Sequence, residues 1–297
     1  MSEEKKYSIF FIKGGKGKHV AATAVAKCIK NNHPNRRLIV VCAWTSIFIN
    51  LDFVDRVYRR SITPYFYQDY IEEKDSLIFK HEPYYTTDHI HKKKHLIENW
   101  CNLYDLEYKG ETPQINFNMQ EKLLADSLWG NTKPIMVLQT GGGDLNDGSP
   151  YKWSRDMPVG IIDEVIKRFN SAYKIYQVTT NNGYVGEGVT HVNKEHTTME
   201  LSTLVALSQK RVLIDSCLQH IAGALGKPST VLWIGTDPKV FGYPIHDNIR
   251  ATEKKGFNLP DSTLFDYSFE GLSHECPYRS EEEMFNLDEI IDSIKKQ

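Results

Sequence analysis

The sequence contains no apolar run near the roughly 20 residues that span a bilayer, no CxxC spacing among its five cysteines, and almost no net charge. The first absence leaves no candidate transmembrane helix. The polar start MSEEKK does not read as a signal peptide either, so a cytoplasmic location is expected. Cys28, Cys42, Cys101, Cys217 and Cys276 are odd in number and scattered, which points to reduced, mostly buried thiols and to neither a disulfide framework nor a zinc site. A formal charge of −2 gives no global attraction for nucleic acid or an anionic membrane, so any basic footprint is local. There is no repeat at a fixed period. What remains is an ordinary globular composition, 40% hydrophobic and 25% charged, in 297 residues, a length that favours two cores over one.

The most ordered stretch is Arg211 to Gly235, RVLIDSCLQHIAGALGKPSTVLWIG. Val212 to Ile214 form a buried-type strand, and Asp215-Ser216-Cys217 interrupts it with helix-capping residues. Leu218, Ile221, Ala222 and Leu225 then follow helical spacing up to Gly226 and Pro228, and Ser229 to Ile234 is a second strand. This is a βαβ unit, so a parallel sheet is expected around it. Its first turn puts backbone N–H groups at a helix N-terminus, where phosphate is favoured. Upstream lie a strand at 134–139 followed by Thr140-Gly141, a helix over 159–170, strands over 174–180 and 189–193, and a helix at 196–209 with a Thr197/Glu200 capping box. Residues 281–295 predict an acidic-start terminal helix.

The first half opens as strand (Tyr7 to Ile12), a loop with Gly14, Gly15 and Gly17, an Ala-rich helix from Val20 to Pro34, and a strand at Leu38 to Cys42. A turn or short helix over 46–57 leads to a strand beginning near Val57. An irregular segment follows with Tyr65, Phe66, Tyr67, Tyr70, Tyr84 and Tyr85, suited either to a cleft wall or to packing beneath a long loop. His89-Ile-His91-Lys92-Lys93-Lys94-His95 is the one concentrated basic run. It reads as a solvated helix face continuing through Leu106, with an anionic-acceptor contact at Lys92, Lys93 and Lys94 as the functional alternative; its spacing fits no metal-ligand set. Proline-punctuated sequence between Leu106 and Lys133, with a short helix at Met119 to Ser127, marks a boundary. The expected division is 1–124, 125–275 and a terminal segment 276–297 that can cross back to the first domain.

The KGGKGK loop resembles the deviant Walker motif of ParA/MinD-like ATPases, in which glycines let backbone N–H groups wrap phosphate. His19 stands where that family has Ser or Thr for magnesium, and LIVVCAW lacks the aspartates that follow the second strand. A loop facing a substrate cleft is the preferred reading, with a purely structural turn as the alternative.

The second half carries a more specific resemblance. IDSCLQHIAGALGKPSTVLWIGTDP is similar to the D-S/T-G-x-x-H-x-x-A-A-L-G-K-P segment of glycosyltransferase family 9, the ADP-heptose:lipopolysaccharide heptosyltransferase-like enzymes of GT-B fold. LQTGGG followed by YKW, and HTTMELSTLVALSQ before the Asp215 turn, look like further motifs of that family. GGKGKHVAATAVAKCIKNNHP resembles its N-terminal opening, and the stretch from Cys276-Pro277 its C-terminal one.

The resemblance implies two Rossmann-like domains with mainly parallel sheets facing a central cleft, the acceptor bound by the first and a nucleotide-sugar by the second. It implies a donor site in which Thr140 and Gly141 meet the diphosphate and Lys152 neutralises it. Ser216 and Cys217 would offer backbone N–H groups, Asp215 would hold the turn, and His220 and the Thr198 helix would face the same cleft. Transfer would be inverting and metal-independent, without cofactor, with an ADP-sugar favoured. Two positions depart from the family. Lys18 stands at the acidic general base, and Cys217 at the glycine of D-S-G. His19, or a neutral Lys18, is the nearest candidate base, with Asp52, Asp55 and Asp88 on other loops. A catalytically silent sugar-nucleotide or glycan binder, and an enzyme glycosylating modified nucleic acid, remain as alternatives.

Overall fold

A computed structural model of the protein describes residues 6–61, 63–130, 132–142, 155–193, 195–252 and 283–297. Two wholly parallel sheets organise the chain. The first contains β1 (Lys6–Phe11), β2 (Arg37–Cys42), β3 (Arg56–Arg59) and β4 (Asp75–Phe79) in the order β3-β2-β1-β4. β2 reads RLIVVC without alternation because helices or loops cover both faces of a parallel sheet, and its Leu38 to Val40 are fully buried. β1 passes through Ile12 to Gly15 into α1 (Lys16–Asn32), which starts four residues before the expected Val20 and so takes Gly17, Lys18 and His19 into its first turn.

The irregular middle supplies an edge strand, β4, that its partly exposed DSLIF conceals in the sequence. Its aromatic residues divide. Phe66 and Tyr70 of α2 (Phe66–Tyr70) pack with Tyr58 and Tyr7 on one face of the first sheet, while Tyr65, Tyr67 and Tyr85 are exposed. The helix expected from His89 to Leu106 is broken into α3 (Thr87–Ile90) and α4 (Leu96–Leu103). Lys92 sits between them with φ +51°, and the His95 side chain accepts from Ile97 N to cap a new helix.

α5 (Met119–Trp129) begins in a capping box made by Asn118 and Glu121 and leads to the second sheet. That sheet contains β5 (Ile135–Gln139), β6 (Lys174–Val178), β7 (Thr190–Val192), β8 (Lys210–Ile214), β9 (Thr230–Trp233) and β10 (Asp247–Arg250), ordered β10-β9-β8-β5-β6-β7. Between them run α6 (Val159–Phe169), α7 (Thr198–Leu207), α8 (Cys217–Ala224) and the short α9 (Pro238–Phe241). Counted from β5, this is the doubly wound dinucleotide-binding order 3-2-1-4-5-6. The capping box at Thr197 and Glu200 is formed on both sides.

The boundary expected at 124/125 falls inside α5, whose Trp129 indole donates to Glu200 O and Thr203 Oγ1 beneath α7. The last helix, α10 (Leu287–Lys296), corrects a second expectation. It lies on the second sheet rather than the first, because Ile290, Ile291 and Ile294 bury against the cluster holding Ile214 and Leu232. The Cys276-Pro277 stretch lies outside the described residues. One apolar cluster runs from Phe10 and Val25 through Trp129 to Leu218 and Trp233, so the two sheets share a core across α1 and α8.

Candidate active site at two facing helix N-termini

In an open parallel sheet, ligands bind beyond the carboxyl ends of the strands where the strand order reverses. In the first sheet that point lies between β1 and β4, and in the second between β5 and β8. The loops there carry Gly14 to Lys18 and Glu82 on one side, and Thr140-Gly141 and Asp215 to Cys217 on the other. The crossing of α1 and α8 brings the two together. A Cβ on Gly17 would lie 2.8 Å from His220 Cδ2 and 3.2 Å from Cys217 Cα. The close approach that glycine permits is therefore provided by Gly17 on α1, opposite a cysteine on α8. Gly17→Val is expected to lower stability by about 1–3 kcal/mol through overpacking; an unchanged thermal midpoint would contradict this contact.

Neither helix has a side-chain cap. α1 follows Gly15 and α8 follows Ser216, whose hydroxyl makes no capping bond, whereas α5 and α7 both carry capping boxes. The first-turn N–H groups of both helices thus remain available where their dipoles are positive. Asp215, nearly buried, accepts from Thr236 Oγ1 at 2.6 Å, which fixes the turn before α8. Burial pushes the Cys217 thiol up, so this cysteine is a packing group and not a thiolate.

Other predicted site residues are engaged in structure. His19 is fully buried, its Nδ1 2.8 Å from Gly15 O and its Nε2 accepting from Ala43 N at 3.4 Å. Burial lowers its pKa to about 4, and both nitrogens are occupied, so the ring cannot meet an acceptor hydroxyl in this arrangement. His220 packs likewise, with Nε2 3.1 Å from the Gln219 amide nitrogen and Nδ1 2.8 Å from Tyr243 OH. Since the amide donates to Nε2, the proton sits on Nδ1. Thr140 is 3% exposed, and its hydroxyl accepts from Gln177 Nε2. Gly141 is held against Thr179, whose Oγ1 would be 2.6 Å from an added Cβ. Thr198 Oγ1 and Gln139 Oε1 are buried with no partner among the described residues. Lys152 lies outside the described residues.

The basic run is not a solvated face. Lys92 is 7% exposed, Lys94 pairs with Asp88 at 3.0 Å, and only His91 and Lys93 of the run are exposed. His89 faces Tyr84 and Phe241 while His95 caps α4. Among the described residues no three His, Cys, Asp or Glu side chains converge as metal ligands, and no helix is long and apolar enough to cross a membrane.

Lys18 stands at the centre of the site. Its Nζ is 2.7 Å from Glu82 Oε1, 4.7 Å from the Tyr84 ring centre and 5.6 Å from that of Trp100. Desolvation lowers its pKa, and the hydrogen bond and charge of Glu82 oppose this. Burial pushes the Tyr84 hydroxyl up; the charges of Glu82 and Asp215 act in the same direction and that of Arg155 opposes them. Glu82 and Arg155 went unnoticed in the sequence, and Tyr84 was marked only as one aromatic residue of an irregular segment suited to a cleft wall or to packing. They are lone residues on loops, and no spacing marks them.

Two doubly wound parallel sheets whose switch points face each other define a GT-B architecture. No protein-family model matches the sequence, and no curated protein matches it. Solved structures do match its fold. A glycosyl transferase family 9 protein from Veillonella parvula superposes with a TM-score of 0.69 at 11% identity, over 100% of this chain and 98% of that one. The Escherichia coli ADP-heptose lps heptosyltransferase II gives 0.64 at 12%, over 84% and 91%. The dodecameric iron-containing heptosyltransferase TibC, from enterotoxigenic E. coli and in complex with ADP-D-beta-D-heptose, gives 0.68 at 11%, over 99% and 76%. The chain has the GT-B fold of these glycosyltransferases, and the resemblance to family 9 read in its sequence extends to the whole architecture.

Proposed function

We propose that this protein is a glycosyltransferase that takes a sugar from a nucleotide-sugar, with an ADP-sugar favoured, and passes it to a hydroxyl acceptor with inversion and without a metal. The observation that carries this reading is the meeting of two uncapped helix N-termini at the switch points of a GT-B fold, beside Lys16, Lys18 and Arg155. Charge that develops on a departing diphosphate is stabilised there by preorganised N–H dipoles and cations. Arg155 lies against Gly142, its Cβ and Cδ within 3.5 Å of where a Cβ on that residue would sit, and its charge acts on Tyr84 and His220. Its guanidinium would share the diphosphate with Lys152, Thr140 and the α8 N–H groups.

Arg155→Ala is expected to weaken ADP binding about 10- to 100-fold, the loss of one or two hydrogen bonds to a charged group, with little change in melting temperature. Calorimetry that returned an unchanged affinity would count against the placement. A catalytically silent binder is the second reading. It is favoured by the loss of an acid at position 18 together with the burial of His19, and ADP release from nucleotide-sugars separates the two. Only Ile12 to Gly15 separates β1 from α1, which is short for a loop that wraps phosphates, and this weighs against the ATPase reading. The burial of Lys92 and the pairing of Lys94 weigh against a nucleic-acid acceptor.

A further inference from the structure

We propose that Glu82 is the proton acceptor of the transfer reaction, supplying from the β4 loop the carboxylate that position 18 lacks. The assignment rests on the glycosyl-transfer reading above. Glu82 follows β4, so it stands at the switch point of the first sheet, across from α1. Its Oε1 takes the Lys18 ammonium at 2.7 Å. Its Oε2 has no protein donor among the described residues, and the side chain is 28% exposed. The group is therefore held at one oxygen and open at the other.

The loop is held as well as the side chain. Trp100 Nε1 donates to His81 O at 3.0 Å, the Tyr104 hydroxyl donates to the same carbonyl, and Pro83 follows directly. Both aromatic residues are anchored by Phe10 of β1, so the position of Glu82 is set by the core. Precise placement of a base from rigid elements is what proton transfer requires.

Asp52 is exposed in the turn before β3, and the other candidates are committed elsewhere. Asp55 accepts from Leu38 N at the start of β2 and pairs with Arg37 and Lys30, at the end of the sheet away from the cleft. Asp88 pairs with Lys94, and Asp215 is held by Thr236. A neutral Lys18 would leave the carboxylate beside it without a cation, so the pair keeps its proton on the amine. Lys18 is then a positioning residue for Glu82.

In the step itself, the acceptor oxygen forms a bond to the anomeric carbon as that carbon's bond to the diphosphate oxygen breaks. The electron pair of the broken bond leaves with the nucleoside diphosphate, and the acceptor proton passes to Glu82 Oε2, which later returns it to solvent. Water can replace the acceptor hydroxyl, giving hydrolysis of the donor by the same bookkeeping of atoms.

The test uses the full chain with ADP-heptose and follows ADP release, while calorimetry follows ADP affinity. Glu82→Gln keeps the shape and the hydrogen bond to Lys18. It is expected to leave ADP affinity unchanged and to slow ADP release about 10²- to 10⁴-fold. Lys18→Met is expected to slow ADP release and Lys18→Arg, which returns a cation to Glu82, to recover part of the rate; a residue of purely structural importance would not be rescued by the charge. Release from Glu82→Gln within about threefold of the parent overturns the assignment. So does a parent protein that binds ADP yet releases none from ADP-, UDP- or GDP-sugars. Failure of the parent to bind ADP removes the donor site itself, and both readings fall.

Discussion

The protein is expected to lose most of its stability between about pH 6.5 and pH 5, with a melting temperature that drops steeply over that interval. Four deeply buried histidines produce the effect. His19, His89, His220 and His246 are each at most 7% exposed. Burial, the largest cause in each case, lowers their pKa from 6.5 to about 4 for His19, His89 and His246 and to about 3 for His220. Nearby Lys18, Arg155 and Arg211 push in the same direction.

The unfolded chain takes up these protons near pH 6.5 and the native state does not, so stability is complete above 6.5 and falls as the pH drops toward the native values. At about 1.36 kcal/mol per group and pH unit, four groups remove roughly 8 kcal/mol by pH 5, comparable with the entire ~5–15 kcal/mol of a typical domain. The carboxylate of Asp75, held low by its hydrogen bonds to Arg36, acts only below its ordinary value of 3.8 and does not contribute in this window. Thermal unfolding at a series of pH values would measure the slope, and a flat melting temperature between pH 7 and pH 5 would show that these rings are open to solvent protons.

Ending the chain after Asn286 is expected to be comparably severe. α10 inserts Ile290, Ile291 and Ile294 into the outer face of the second sheet, each at most 2% exposed. At about 1.5–3 kcal/mol per buried isoleucine, their loss costs roughly 5–9 kcal/mol. Polar ties go with them. Ser293 Oγ is 2.6 Å from Thr230 Oγ1, Gln297 Nε2 donates to Arg211 O and Thr230 Oγ1, and Gln297 Oε1 accepts from Arg211 N. Deletion leaves these β8 and β9 groups without their partners. Ile290→Ala is a graded control, expected to cost about 2–5 kcal/mol. A truncated chain that melted within a few degrees of the parent would mean that α10 is dispensable to the second sheet.

The parts of this structure legible in the sequence are those specified locally. β8, α8 and β9 follow from an apolar run, a turn and helical spacing within two dozen residues, and the Thr197/Glu200 capping box needs only four. Of the edge strands, β3 and β7 were expected, whereas half-exposed β4 and β10 were hidden because they have no continuous apolar signature. The basic run looked helical because composition does not reveal that Lys92 would occupy a left-handed turn. At the site, the elements were readable and the roles were not. His19 is beside the position of the missing acid in sequence, yet its ring points into the core toward Phe48. Glu82 lies 64 positions from Lys18 and meets it only because β1 and β4 are neighbours.

The contact between Gly17 and the start of α8 also constrains motion. Two lobes that touch only through side chains at a rim can slide, but here the backbone of Cys217 abuts a residue with no side chain. That point cannot be compressed further. Closer approach of α1 and α8 is therefore blocked at this contact, which sets the spacing of the two helix starts that frame the site.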